Sequence, residues 1–141
     1  MAQYFFVDES GEPGFHKFRG SPYFILTMVQ TPSWEPIIEL AGLRRDLHLL
    51  PSFEFHYAKM SSVQKDAFYR AVLPVYFRVR AAVMLKEAAP RIYRAMNGSD
   101  LTVELLTTLT LRASPLDISN DVLVIDGATD TLRSAGRLML I

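Results

Sequence analysis

The run Tyr4-Phe5-Phe6-Val7-Asp8-Glu9-Ser10-Gly11 constrains this chain more than any other stretch of it. Four apolar or aromatic residues read as a short buried strand. Two adjacent carboxylates follow at once, and then a loop containing Gly and Pro, so the strand is expected to deliver both acids to its C-terminal end. Open sheets commonly keep their chemistry at such strand ends. A carboxylate there is costly to desolvate unless positive charge sits beside it, and a metal ion, a basic side chain or a bound substrate would each supply that charge. The same residues also suit an Asp that accepts backbone N–H bonds and closes a turn through Ser10 and Gly11. On this segment alone the two readings stand side by side.

The rest of the composition narrows the field. At 141 residues the chain reads as one domain, 1–141, long enough to bury a core, and with 50% hydrophobic and 11% aromatic residues it is globular. Fifteen basic and fifteen acidic residues balance to zero, which argues against a chain-wide electrostatic footprint for nucleic acid while leaving room for a local basic groove. The absence of cysteine removes disulfides, thiolate zinc sites and cysteine nucleophiles. Met1-Ala2-Gln3 leads straight into a strand without the features of a signal peptide, and no apolar run approaches the roughly 20 residues of a membrane span. The expectation is a soluble cytoplasmic protein.

Along the chain, Tyr23–Val29 is an almost unbroken apolar run that suits a central strand covered on both faces. The loop before it, residues 9 to 22, is long for a hairpin, and long loops near a carboxylate are often functional. Ser33 offers an N-cap for a helix whose apolar face is Ile37, Leu40, Leu43, Leu47 and Leu50, stopped by Pro51. Ser61-Ser62-Val63-Gln64 has capping-box form, so a second helix runs to about Leu73 with Ala67, Phe68, Ala71 and Val72 inward. From Phe77 to Leu85 the period switches to two. Phe77, Val79, Ala81, Val83 and Leu85 share one face, with Arg78 and Arg80 opposite, as in a strand at a sheet edge or with one solvated face. A short helical segment ending by Met96 follows Pro90. Asn97-Gly98-Ser99 reads as a turn followed by an N-cap, and Leu101, Leu105, Leu109 and Arg112 outline a third helix. Asp121–Gly127 is the last clear strand and again delivers a carboxylate, Asp126. The order β, β, α, α, β, α, β predicts a three-layer α/β domain.

If the strands ending in Asp8 and Asp126 are parallel neighbours, their carboxylates converge, because adjacent strands lie about 4.8 Å apart. Two close carboxylates repel unless a proton or metal lies between them. Hard oxygen ligands without cysteine point to Mg²⁺ or Mn²⁺. Glu54 is a third candidate: in Phe53-Glu54-Phe55-His56-Tyr57 the alternation sets Glu54 and His56 opposite three aromatics. A solvated polar edge accounts for the same pattern.

Asp8-Glu9-Ser10-Gly11 closing a first strand, the apolar Tyr23–Val29 strand, Glu54-Phe55-His56 before a capped helix, and Ile125-Asp126-Gly127 together resemble the N-terminal part of the DUF3800 family. That resemblance implies a ribonuclease H-like fold, a mixed sheet with helices, and metal-dependent nuclease activity on nucleic acid, RNA or DNA. It implies Asp8 and Asp126 as central ligands of Mg²⁺ or Mn²⁺, with Glu54 as the third. His56 would position water or donate to a phosphate, and Lys59 and Lys86 would contact phosphates. Members of the family continue into a Gln-x-x-Asp-like element. Nothing after Asp126 matches it, Asp130 being the one remaining acid and wrongly spaced, so the expectation is a domain lacking its C-terminal part, consistent with an end inside the apolar run Leu138–Ile141. A C-terminal strand docked in the sheet would read the same way. Glu9 is expected on the opposite sheet face from Asp8, capping the loop or pairing with a base.

Other classes fit less well. A receiver domain also ends its first strand in adjacent acids, but a helix follows there, where this chain has a Gly/Pro-rich loop and another strand. A serine nucleophile at Ser10 lacks the Gly-x-Ser-x-Gly context. The non-enzymatic alternative is a ribonuclease H-like module that binds a protein or nucleic-acid partner and keeps residual acids.

Overall fold

The strand pattern resolves into a mixed, open four-stranded sheet with helices, an α/β arrangement, in a computed structural model that describes residues 3–15, 20–33, 38–112 and 121–125. Strand β1 (Tyr4–Ser10) pairs antiparallel with β2 (Tyr23–Thr31). Strand β3 (Arg78–Leu85) pairs antiparallel with β2, and β4 (Val122–Ile125) lies parallel to β1, giving the order β3-β2-β1-β4. The first two strands are thus a hairpin despite their long loop. Gly11 makes the exit from β1 with φ +79°, where a Cβ would run into the Tyr23 carbonyl oxygen.

Two compact units divide the chain: one holds the sheet, and the other is the segment Ser33–Tyr76 that joins β2 to β3. In the sheet unit the helices are a short α3 (Arg91–Arg94) and α4 (Gly98–Thr107), which continues as a π-helical turn over Thr108–Arg112. Asn97 caps α4, its side chain accepting the Asp100 N–H at 2.8 Å, so the first residue of the expected turn is itself the cap. Leu101, Leu105 and Leu109 come from α4 and its π turn. With Phe5, Val7, Phe24, Leu26, Met28 and Met84 they form the core. Widening to a π turn disturbs the helical ladder, and the Arg80 guanidinium donates to the Leu109 carbonyl at 3.1 Å. At the same end Arg112 pairs with Glu104, a hydrogen bond first and a charge attraction second, which together raise the guanidinium's pKa.

Two expectations about the sheet change here. Strand β2 is internal, but only Phe24, Leu26 and Met28 are fully buried, while Ile25, Thr27 and Val29 are half-buried. Strand β3 is at the edge as expected, yet its inward face is the arginine face. Met84 is 7% exposed, whereas Val79 and Val83 are 54% and 61% exposed. The register explains this. Phe24 pairs with Met84 and Leu26 with Ala82, so the face that meets α4 carries Arg78 and Arg80 and leaves the valines outside.

The second unit contains α1 (Ile38–Asp46) and α2 (Ser62–Val72). The capping box forms as expected: Ser61 accepts from the Gln64 N–H and Gln64 Oε1 accepts from the Ser61 N–H at 2.9 Å. The first helix ends at Asp46, earlier than the apolar spacing to Leu50 suggests. Leu49 N donates to Arg44 O at 2.8 Å and His48 N to Arg45 O at 3.0 Å, a Schellman pair with His48 at φ 53°. Leu50 is left exposed.

Candidate functional site

Asp8 lies inside β1 rather than at its end. It pairs with Thr27, and the strand continues through Glu9 and Ser10 before Gly11 turns the chain. On the other side, pairing with β4 runs among the described residues as far as Val7↔Ile125, Val7 being the residue before Asp8. A cleft of about 660 Å³ occupies this face, lined by Phe6, Asp8, Thr27, Val29 and Val124 among others. Asp8 is the one acid among its lining residues. The carboxylate is exposed, Oδ1 accepts the Glu9 N–H at 2.8 Å, and Oδ2 accepts no hydrogen bond among the described residues. An exposed carboxylate with one uncommitted oxygen, beside Thr27 on a mostly apolar face, has the donor chemistry that a hard divalent cation takes.

Glu9 points the other way, as alternation requires. It pairs with buried Leu26, and the Thr102 hydroxyl of α4 lies 3.4 Å from its Oε2. The two adjacent carboxylates therefore serve different faces of the sheet. Beside Glu9, the N-terminus of α4 meets the β1–β2 loop: a Cβ on Gly98 would lie 2.7 Å from Pro13 Cγ. The acids of the motif are thus fixed by β-sheet alternation, and the loop after them by contact with α4. Neither the Thr27 partner of Asp8 nor the Thr102 contact of Glu9 is readable from spacing, since each depends on a register or a helix placement set by distant residues.

The strands of Asp8 and Asp126 meet the condition set for them: β1 and β4 are neighbours and parallel. Asp126 itself lies outside the described residues, as does Asp130. Glu54 and His56 belong to the second unit, both exposed. Their segment is irregular chain rather than a strand, with His56 N donating to Glu54 O at 2.9 Å. The alternation holds for Phe53 and Phe55 and fails at Tyr57, which is exposed. Phe55 packs edge-on to Phe53 at 5.3 Å and against Phe68 at 5.4 Å, beneath the Arg44 guanidinium at 5.1 Å. Arg44 also donates through Nε to Phe53 O at 2.8 Å, and Lys65 sits 4.0 Å from the Tyr57 ring centre. This packing turns Glu54 and His56 toward solvent. Among the described residues no three acidic or histidine side chains come together as a metal-holding group. No helix among them is long and apolar enough to cross a membrane.

No protein-family model matches the sequence, and no curated protein or solved structure matches it significantly.

Proposed function

We propose that this chain is a ribonuclease H-like, three-layer domain resembling the N-terminal part of the DUF3800 family, and that it cleaves phosphodiester bonds of nucleic acid with Mg²⁺ or Mn²⁺. One observation carries the proposal: β4 lies parallel to β1, with Val7 paired to Ile125, the residues that precede Asp8 and Asp126 in sequence. The proposal takes that register one residue further, which would make Asp8 and Asp126 neighbours across β1 and β4. On this reading Asp8 and Asp126 are the central ligands, and the resemblance to the DUF3800 family names Glu54 as a third and His56 as the group that donates to a phosphate or orients water. The same resemblance names Lys59 and Lys86 as phosphate contacts. A divalent ion bound there supplies charge neutralisation on a phosphate oxygen and a more acidic water.

A second reading has an observation of its own. Because no three-ligand group is present among the described residues, a non-catalytic module that binds a nucleic-acid or protein partner fits the same fold. Incubating the chain with labelled RNA, DNA and hybrid oligonucleotides in Mn²⁺ separates the two. The nuclease reading expects fragments that disappear with chelator and with Asp8→Asn, whose circular dichroism stays that of the parent. Oligonucleotide binding without fragments favours the binding module, and fragments that persist in Asp8→Asn contradict the site.

A further inference from the structure

The two edges of the sheet are built differently. Among the described residues β4 spans four residues and β3 eight; a long edge is the better template for another strand. Proteins usually protect a long edge with a lysine, a proline or a bulge. Residues 78–85 contain neither lysine nor proline, and the pairing with β2 runs from Gln30↔Arg78 to Tyr23↔Leu85 without a bulge. The inward arginines are engaged elsewhere, Arg80 with the Leu109 carbonyl.

The hydrogen-bond phase of this edge can be read from its end. Lys86 N donates to Pro22 O at 2.9 Å, so the even-numbered residues of β3 exchange bonds with β2. In an antiparallel ladder the alternate residues then direct their N–H and C=O groups to the other side. These are Val79, Ala81, Val83 and Leu85, the same residues whose apolar side chains stand exposed. Among the described residues no strand pairs with that side. Backbone donors and acceptors and an apolar face are therefore presented together along one line.

The occupant follows from the sequence of the edge itself. Pairing β3 antiparallel with a second β3 about Ala81 places Val79 opposite Val83 of the second copy and Ala81 opposite Ala81. On the other face Arg78 meets Met84 and Arg80 meets Ala82, so no two arginines stand directly opposed. A shift of one residue to a dyad between residues breaks the match of faces. Centring on Arg80 opposes two arginines, and centring on Ala82 sets Arg78 against Lys86. We infer that the chain forms a twofold dimer through β3, extending the sheet to eight strands, with Ala81 on the axis. This inference is independent of the nuclease reading.

Sedimentation analysis of the full chain from low to high micromolar concentration tests it. The expected result is a species that grows from the 16.0 kDa chain toward twice that mass. Ala81→Lys and Ala81→Glu each place like charges face to face on the axis, so each is expected to stay monomeric, and an equimolar mixture of the two is expected to dimerise again. A second readout needs no variant: amide exchange at Val79, Ala81 and Val83 in the parent slows as concentration rises. A parent that stays monomeric at all concentrations, an Ala81→Lys chain that dimerises as the parent does, or exchange at these amides that ignores concentration would overturn the inference.

Discussion

Met84→Ala and Val83→Ala, made separately, ask which face of β3 is the inside. The two residues are neighbours on one edge strand, so the effect of position nearly cancels between them. Met84 is 7% exposed and packs in the core, and truncation removes three heavy atoms. At about 0.8 kcal/mol per methylene-sized group the transfer loss is about 2.4 kcal/mol. A cavity adds to this, while the edge position lets neighbours close in, so the low end of the usual core range applies, about 2–3 kcal/mol. Val83 is 61% exposed, so losing its two methyls forfeits only about 0.6 kcal/mol. The gap of about 2 kcal/mol corresponds to a difference in Tm of roughly 4–8 °C for a chain of this size. Thermal unfolding followed by circular dichroism, in solution dilute enough to suppress self-association, measures it directly. If Val83→Ala lowers Tm more than Met84→Ala does, the faces have been assigned the wrong way round and the register with β2 is refuted.

Two further substitutions test local features of the second unit. Ser61→Ala removes the side-chain acceptor of the α2 capping box and is expected to cost about 1 kcal/mol, read as a lower urea midpoint at unchanged slope. His48→Gly relieves a left-handed residue at the end of α1 and loses no buried surface, so a gain of about 0.5 kcal/mol is expected in the same titration. A loss there would mean that the histidine side chain holds the turn.

Much of the strand and helix order was readable because it rests on local signals. The Ser61–Gln64 capping box and the Leu101, Leu105, Leu109 spacing each work within one or two turns of helix, and both elements formed where expected. What depends on pairing was less readable. The apolar alternation of Val79, Ala81 and Val83 suggests an inward face, yet the partner register sends it outward, because β2 aligns Phe24 with Met84. Likewise the apolar spacing from Ile37 to Leu50 overran a helix that a left-handed His48 ends early. At the site, the opposite orientation of Asp8 and Glu9 was legible from alternation alone. The parallel neighbourhood of β1 and β4 was a condition the sequence raised without meeting, since strand adjacency is decided by crossovers and the core rather than by either strand. Glu54 and His56 lie exposed on irregular chain, with Phe53 and Phe55 packed beside Phe68 and Arg44, but Tyr57, expected with the other aromatics, is itself exposed.

The central claim is that Asp8 is a cation ligand rather than a turn residue. Titrating Mn²⁺ into the chain by calorimetry, alongside Asp8→Asn, Asp126→Asn and Glu9→Gln, tests it most directly. The account predicts that the parent binds, that each aspartate variant weakens binding at least about tenfold, equivalent to about 1.4 kcal/mol, and that Glu9→Gln binds as the parent does because its carboxylate serves the other face of the sheet. Parent-like binding in folded Asp8→Asn, or no binding by the folded parent, would contradict it.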